Sequence, residues 1–347
     1  MPVLRHEVPV QGRRAEGPLR AAELPRTLVV APNWIGDALM AQPLLARLRA
    51  RRPDAAIDVL APPWVAPVLR RMPEVDEVIE ADLRHGRLQL GARWRLARRL
   101  KARGYAAAYV LPNSLKSALV PFLAGIPERI GYLGERRYGL VNRRVAAPSA
   151  AARGGAGNGH EPMPVHYARL AGEAGAAPLP APRLETPPND TAARFGIEAP
   201  YVVLCPGAEY GPAKRWPYFA ELSSAIQGTV VVLGSASDAQ AAAGLRGVNL
   251  VGRTSLAEAI DLIAGARAVV SNDSGLMHVA AATGTPQVAL FGSSSPEHTP
   301  PQSPAARVLW LRVECSPCYR RECPLGHFRC LRELHADRVL AELRSLA

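Results

Sequence analysis

The chain has 347 residues, 48% of them hydrophobic, which is enough for two domains that each bury a core. It has no run of 18 apolar residues and no apolar signal segment after its basic N-terminus, so we expect a cytoplasmic protein rather than a membrane-spanning or secreted one. The net charge of +12 favours anionic partners, and because only 5% of residues are aromatic and no nucleic-acid motif occurs, we do not expect nucleic acid among them.

The first half of the chain alternates strands and helices after an irregular start. Residues 1–25 lack hydrophobic periodicity and are predicted to be a disordered extension. Residues 26–178 are predicted to form an N-terminal domain, and glycine-rich residues 148–160 a mobile loop within it. The predicted strands are 27–31, 57–60, 75–80, 106–111 and 129–132, and the predicted helices are 38–51, 65–71, 91–103, 115–124 and 165–174.

The second half repeats this alternation after a proline-rich segment, 179–190, which is predicted to be a semi-rigid linker. Residues 191–336 form the predicted C-terminal domain, and residues 337–347 a last helix. The predicted strands of the second half are 201–204, 229–233, 249–251, 267–271 and 287–291. Its predicted helices are 216–227, 238–245, 255–265 and 337–346. The fold class is α/β, with two doubly wound, Rossmann-like domains whose strands end at a central cleft, where ligands bind.

One stretch, 269–278, reads as the end of a buried strand, a polar turn and the first turn of a helix. Asp273 and Ser274 are both good N-cap residues, and the free N–H groups of such a helix start bind phosphate or diphosphate. His278 lies four residues after Ser274 and is expected on the same side of that turn. Capping alone would also explain the two polar residues.

Two further loops of the second half also follow strands. The loop 205–217 has glycines for close backbone approach and places Lys214, a suitable point charge for a diphosphate, before a helix. In the loop 233–238, Asp238 either meets a ribose hydroxyl or caps a helix. A solvated Lys-Arg pair is the alternative for Lys214, but three such loops on one sheet favour a nucleotide diphosphate.

In the first half, Asp37 follows the first predicted strand and faces the cleft. A carboxylate there is suited to be a general base, whereas a helix cap or a partner of the helix dipole is the structural alternative. The sequence has no Walker A motif and no GxGxxG after the first strand, which argues against a dinucleotide dehydrogenase.

Five motifs follow one another along the chain, at residues 32–37, 109–118, 136–140, 206–217 and 272–281. Through these motifs, the stretch 27–346 resembles the bacterial lipopolysaccharide heptosyltransferases, glycosyltransferase family 9. Within that family, the Pro-Gly-Ala-Glu loop before Lys214 favours the branch that adds the second heptose.

The resemblance implies a GT-B enzyme that moves L-glycero-D-manno-heptose from ADP-heptose to the first heptose of heptosyl-Kdo-lipid A, with inversion. Asp37 would be the base. Lys214 would stabilise the leaving diphosphate together with the N–H groups of Ser274 and Gly275. Donor contacts would come from four further residues: Asp273, His278, Asp238 and Thr254. No metal cofactor is expected.

The acceptor would bind in the N-terminal domain, and the protein would touch the cytoplasmic face of the inner membrane peripherally. For each basic residue, a solvated surface position is the alternative. The candidates for contact with Kdo carboxylates and lipid phosphates are Asn113, Ser114, Lys116, Arg136 and Arg137. Two competing functions remain open, namely another nucleotide-sugar enzyme of this fold, such as an epimerase, and a non-catalytic sugar-nucleotide or lipopolysaccharide-binding protein.

Four of the five cysteines crowd the C-terminal region with the spacing C-x2-C-x4-C-x6-C. This spacing suits a structural zinc ion, and reduced structural thiols are the alternative. Stable disulfides are not expected in a cytoplasmic chain. The cysteines concerned are Cys315, Cys318, Cys323 and Cys330.

Overall fold

A computed structural model describes residues 25–83, 87–146, 161–172 and 178–346. The predicted loop 148–160, and the predicted N-terminal extension up to residue 24, lie outside the described residues. Two six-stranded sheets form the framework, and every strand pair within them is parallel.

The first sheet has the strand order β3-β2-β1-β4-β5-β6. Central β1 is in register with both neighbours, since Val29 pairs with Val59 of β2 and Tyr109 of β4. Every residue of β2 is buried, as expected for a parallel sheet with helices on both faces. The strands are β1 (Arg26–Val30), β2 (Ile57–Ala61), β3 (Glu77–Glu80), β4 (Tyr105–Val110), β5 (Glu128–Tyr132) and β6 (Arg143–Val145).

The helices of the first half correct one prediction that matters for the site. The helix predicted over 38–51 begins at Ile35 and is interrupted at Ala41, so that it forms two helices. Pro43 has no N–H with which to continue the hydrogen-bond ladder of α1. The helices are α1 (Ile35–Met40), α2 (Gln42–Arg51), α3 (Ala66–Leu69), α4 (Leu90–Lys101), α5 (Leu115–Leu123) and α6 (Met163–Ala168).

The second sheet has the order β12-β11-β10-β7-β8-β9. Its centre is β7 beside β10, with Leu204 paired to Val270. Sequence reasoning missed β12, as it missed β6 in the first sheet. The strands are β7 (Tyr201–Cys205), β8 (Thr229–Val232), β9 (Val248–Asn249), β10 (Ala268–Asn272), β11 (Gln287–Phe291) and β12 (Ala306–Trp310).

The helices of the second half differ from the prediction in part, because two short helices, 191–194 and 329–332, were not predicted. Ser255 caps α9 through a reciprocal pair with Glu258, and Gly284 ends α10 at φ 75°. The helix predicted over 238–245 is wrong, because Ala236–Asp238 is a single 3-10 turn followed by irregular turns. The helices are α7 (Thr191–Arg194), α8 (Phe219–Ala225), α9 (Leu256–Ala264), α10 (Gly275–Thr283), α11 (Arg329–Arg332) and α12 (Ala336–Ser345).

The two halves share one buried cluster, in which Leu39 and Leu44 of the first half join Val279 and Ala280 of α10. The proline-rich linker contacts both halves. Gln42 bonds both the N–H and the carbonyl of Arg183, and the Leu184 N–H donates to the Ala282 carbonyl at 2.9 Å. None of the helices in the described part of the chain has the length and apolarity to cross a bilayer.

Candidate active site

A buried ion pair lies at the carboxyl ends of the second sheet. Lys214, at the end of the 3-10 turn Pro212–Lys214, donates to Asp273 just after β10 at 2.5 Å. The Ser294 hydroxyl donates to the same carboxylate oxygen. The Asp273 side chain is 4% exposed and that of Lys214 is 15% exposed, so the ammonium group is held at a fixed place on the cleft wall.

Asn272 secures the loop that carries Lys214, and sequence reasoning missed it. Its amide donates to the Pro206 carbonyl at 2.7 Å, and its oxygen accepts the Trp216 N–H at 3.1 Å. The two ends of the loop are thereby tied to β10. Tyr210 was also missed, and its ring lies 4.8 Å from the Lys214 ammonium. The polar run Ser293 to Ser295 directly after β11 was a signal that could have located Ser294.

The start of α10 opens into the cleft beside this pair. Ser274 occupies the N-cap position and is partly exposed, as is Gly275, but the Ser274 side chain makes no capping hydrogen bond. The first-turn N–H groups of a helix have no intrahelical acceptors, which suits them to an anion. The predicted association of Lys214, Asp273, Ser274 and Gly275 is therefore present in the structure.

His278 is buried between the halves rather than exposed to a ligand. A Cβ atom on Gly36 would lie 2.7 Å from the His278 ring, so glycine is required where α1 crosses α10. Burial lowers the pKa of His278 to about 4; the Lys214 charge adds to this shift and Asp273 opposes it. The imidazole is neutral at pH 7 and brings no positive charge to a phosphate.

Asp37 follows Gly36 and lies in the first turn of α1. The sequence predicts that the helix begins at residue 38, with Asp37 in the loop before it. Burial raises the pKa of Asp37 to about 6; the Lys214 charge lowers it and the Asp273 charge raises it. Charges from the second half therefore act on a carboxylate of the first half. Gly36 packs on His278 of α10, and Asp273 lies just before that helix, so Asp37 is a neighbour of the Lys214–Asp273 pair.

Tyr167 of α6 is a further neighbour of this carboxylate. Burial, with a contribution from the Asp37 charge, raises the pKa of Tyr167 well above its usual value. The phenol therefore keeps its proton over the physiological range and contributes no negative charge beside Asp37.

Asp238 is committed to its own loop. Its carboxylate accepts hydrogen bonds from the Ser235 N–H at 2.9 Å and the Ser235 hydroxyl at 2.8 Å. Of the two alternatives for Asp238, a ribose contact or a cap, the structure therefore shows the cap. A Cβ on Gly207 would lie 2.2 Å from the Asp238 carboxyl carbon, which shows how closely the two loops approach. Thr254 lies partly exposed in the loop before α9.

A crevice opens at the carboxyl ends of β1, β2 and β4. Ser114 and Lys116 line it with Arg93, whose guanidinium donates to the Lys116 carbonyl at 2.8 Å. Asn113 is exposed at the same strand end. The structure thus places two of the candidate acceptor residues, Ser114 and Lys116, on one opening, with Asn113 next to them in the chain.

The prediction for Arg137 as an acceptor contact is wrong. The residue is completely buried, and its guanidinium donates to the carbonyls of Tyr132 and Pro112 at 2.5–3.0 Å. Burial lowers its pKa. Arg137 therefore ties the loop after β5 to the loop after β4, while its neighbour Arg136 is exposed, at φ 52°.

The comparisons with known proteins agree with this arrangement. The sequence profile "Glycosyltransferase family 9 (heptosyltransferase)" matches residues 93–329. The chain belongs to glycosyltransferase family 9. Lipopolysaccharide heptosyltransferase 2 of Escherichia coli K12 is 44% identical over 92% of this chain and 98% of its own. Lipooligosaccharide heptosyltransferase 2 of Haemophilus influenzae is 42% identical over the same shares.

A solved structure extends this agreement to the fold. The "Structure of E. coli ADP-heptose lps heptosyltransferase II" superposes with a TM-score of 0.80 at 41% identity, over 92% of this chain and 98% of that one. The α/β prediction with two facing Rossmann-like sheets is confirmed as the GT-B fold of this family. The preference for the second-heptose branch agrees with the names of these relatives.

This family member also brings its C-terminal cysteines together. Cys315, Cys318, Cys323 and Cys330 line one small pocket with Ala213 and Ser293. Within the described ranges, no three His, Cys, Asp or Glu side chains are arranged as metal ligands. The pocket lies directly behind the Lys214 loop, because the Ser293 N–H donates to the Ala213 carbonyl. The structural zinc ion stays a prediction.

Two of these thiols have shifted pKa values. Burial raises the pKa of Cys330 to about 11, and the neighbouring Cys315, Cys318 and Cys323 add to the shift. Burial also acts on Cys323, but the surrounding N–H groups, that of Phe328 first, outweigh it and lower the pKa of the thiol. The Phe328 N–H lies 3.5 Å from the Cys323 sulfur.

Proposed function

We propose that this chain transfers L-glycero-D-manno-heptose from ADP-heptose to the first heptose of heptosyl-Kdo-lipid A, a step of lipopolysaccharide inner-core synthesis. One observation carries the chemistry: Asp37 follows Gly36, which packs on His278 where α1 crosses α10, so this carboxylate of the first half lies near the Lys214–Asp273 ion pair of the second half. The names of the relatives that match over nearly the whole chain supply the substrate class.

Asp37 acts as the general base. It takes the proton of the acceptor hydroxyl while that oxygen attacks C1 of the donor heptose from the face opposite the diphosphate. The C1–O bond to the diphosphate breaks, and the anomeric centre inverts. A carboxylate with a pKa of about 6 is a stronger base than an ordinary aspartate and is still mostly ionised at pH 7.

Lys214 and the first-turn N–H groups of Ser274 and Gly275 stabilise the negative charge that develops on the leaving diphosphate. Preorganised donors of this kind give the largest electrostatic contribution to many enzymatic reactions. Asp273 holds the ammonium group in position through the 2.5 Å bond. Lysine and the helix start supply positive potential, so the reaction requires no metal ion.

The remaining donor and acceptor residues have supporting roles. Thr254 contacts the adenosine, and Asp238 shapes the adenosine loop through its hydrogen bonds to Ser235. His278, which is buried where α1 crosses α10, supports the start of α10 rather than contacting the donor. The Kdo carboxylates and lipid phosphates of the acceptor meet the polar and basic residues of the first half, which are Asn113, Ser114, Lys116 and Arg136.

The test is transfer of radiolabelled heptose from ADP-heptose to purified heptosyl-Kdo-lipid A. Wild-type protein and a variant of the exposed Asp337, Asp337→Asn, are expected to transfer at the same rate. Asp37→Asn is expected to lose about 10²–10⁴-fold in kcat. An Asp37→Asn variant as fast as wild type would exclude the proposed base.

The same assay separates the competing functions. An epimerase would change the nucleotide sugar without an acceptor, and a binding protein would bind ADP-heptose without turnover in any variant. Acceptor-dependent release of ADP by the wild type excludes both.

A further inference from the structure

The outer face of α4 combines a dense positive charge with exposed apolar side chains. Residues 87–103 contain seven Lys or Arg residues and no Asp or Glu. Arg93 is buried and Arg103 pairs with Glu77. The five others are exposed, and they are Arg87, Arg95, Arg98, Arg99 and Lys101.

Large apolar side chains lie among these charges. Leu90 is 56% exposed and Trp94 is 51% exposed, although α4 packs its opposite face in the core through Leu96 and Leu100. Positions 90, 94 and 98 are four residues apart and therefore share one side of the helix. Leu88, just before the helix, is 47% exposed and extends the apolar strip.

The Trp94 ring carries a cation on its face. The Arg98 guanidinium carbon lies 5.0 Å from the ring centroid. A tryptophan with an arginine beside it, on a helix with a basic outer face, is typical of helices that lie at a membrane–water interface. The arginines attract anionic headgroups, and the ring and leucines enter the boundary of the acyl chains.

The inner side of α4, opposite this face, adjoins the acceptor crevice. Arg93 of α4 donates to the Lys116 carbonyl of α5, and both residues line the crevice. We infer that the outer face of α4, with Leu88, Leu90, Trp94 and the surrounding arginines, docks on an anionic lipid bilayer and so presents the crevice to a membrane-anchored acceptor. The inference rests on the proposed function for the nature of that acceptor.

Vesicle sedimentation tests the docking directly, because the vesicles contain no acceptor. Full-length protein is expected to sediment with vesicles of phosphatidylcholine and phosphatidylglycerol in equal parts, and not with phosphatidylcholine alone. Leu90→Glu/Trp94→Glu is expected to weaken this binding about tenfold. Arg95→Glu/Arg99→Glu is expected to weaken it at least about tenfold and to abolish its dependence on salt.

The matched control is Arg338→Glu/Arg344→Glu, which reverses two exposed arginines of α12 in the second half. We expect it to bind the anionic vesicles within about twofold of wild type. Cooperative thermal unfolding of each variant checks that it is folded. Equal binding by the α4 and α12 variants, or no binding by the wild type, would overturn the inference.

Activity on two acceptors separates this inference from the proposed function. On a deacylated, water-soluble heptosyl-Kdo acceptor, the α4 variants are expected to match wild type. On the lipid A acceptor embedded in anionic vesicles, they are expected to lose about tenfold in kcat/KM. A wild type that uses neither acceptor would refute the proposed function while leaving the vesicle result intact. If the α4 variants also lose activity on the deacylated acceptor, weaker docking is not the cause of their loss of activity on the embedded acceptor.

Discussion

The two halves of the cleft differ in how their charges are held. In the second half, Lys214 and Asp273 are paired, nearly buried and supported by Ser294. In the first half, Lys116 lies at an open crevice and Arg136 is exposed. A diphosphate leaving group develops its negative charge at one place, so donors that are fixed at that place stabilise it best. A large lipid-linked acceptor needs an open surface and long side chains, so that individual contacts there are worth less.

Removal of the fixed charge is expected to have the largest effect. Lys214→Ala leaves Asp273 buried without its cation and removes a donor to the leaving diphosphate. We expect kcat to fall about 10²–10³-fold, as measured by ADP release at saturating donor. The control is Arg338→Ala on the exposed face of α12. A Lys214→Ala enzyme with wild-type kcat would remove the leaving-group role.

The pH profile tests Asp37, the carboxylate of the first half whose pKa depends on charges of the second half. Since Asp37 must be ionised to accept a proton, kcat/KM is expected to fall about tenfold per pH unit below about pH 6 and to level off above it. In Lys214→Ala, the charge that favours the ionised carboxylate is absent, so the residual activity should have its limb at higher pH. A limb that stays below pH 5 in both enzymes would contradict the raised pKa.

The contact between the halves is open to a steric test. Gly36→Ala places a Cβ atom 2.7 Å from the buried His278 ring, so the ring or the two helices α1 and α10 must shift. We expect about 1–3 kcal/mol of destabilisation in thermal unfolding, together with reduced transfer. Gly91→Ala, whose Cβ meets only an arginine tip at 3.7 Å, is the matched control. In Gly36→Ala/His278→Ala the steric part of the loss should be relieved, and a double variant without any recovery would argue against this contact.

The open half should respond more weakly. Lys116→Ala is expected to raise the KM for the lipid acceptor by only about threefold to tenfold and to leave the donor KM unchanged. Initial-rate measurements with each substrate varied in turn will show the difference. A hundredfold loss in kcat would mean that the first half holds its ligand as rigidly as the second half does.

The four C-terminal cysteines are expected to affect stability more than chemistry. The spacing predicts one zinc ion per chain, which would rigidify the pocket behind the Lys214 loop. Elemental analysis of purified protein should then find stoichiometric zinc, and Cys318→Ser/Cys323→Ser should lose both the metal and thermal stability. Protein without stoichiometric zinc or iron would leave four reduced thiols that pack the pocket.

The sequence alone determined the alternation of the strands and helices, the two-sheet architecture and most of the loops that carry the site. These features depend on the periodic spacing of apolar residues and on helix-capping residues such as Ser255 and Gly284. Both can be read from the sequence without the structure. The family motifs added the roles proposed for Asp37 and Lys214.

The tertiary structure decided which of these residues meet and which are free. Lys214 pairs with Asp273, 59 residues away, only because β7 and β10 are neighbours in the sheet. The sequence predicted that Arg137 is free to bind the anionic groups of the acceptor. In the fold, its guanidinium is buried and donates to backbone carbonyl groups. Asp37 acquires its raised pKa from burial where the two halves meet. Pairing, burial and shared charge arise between distant segments, and no local pattern records them.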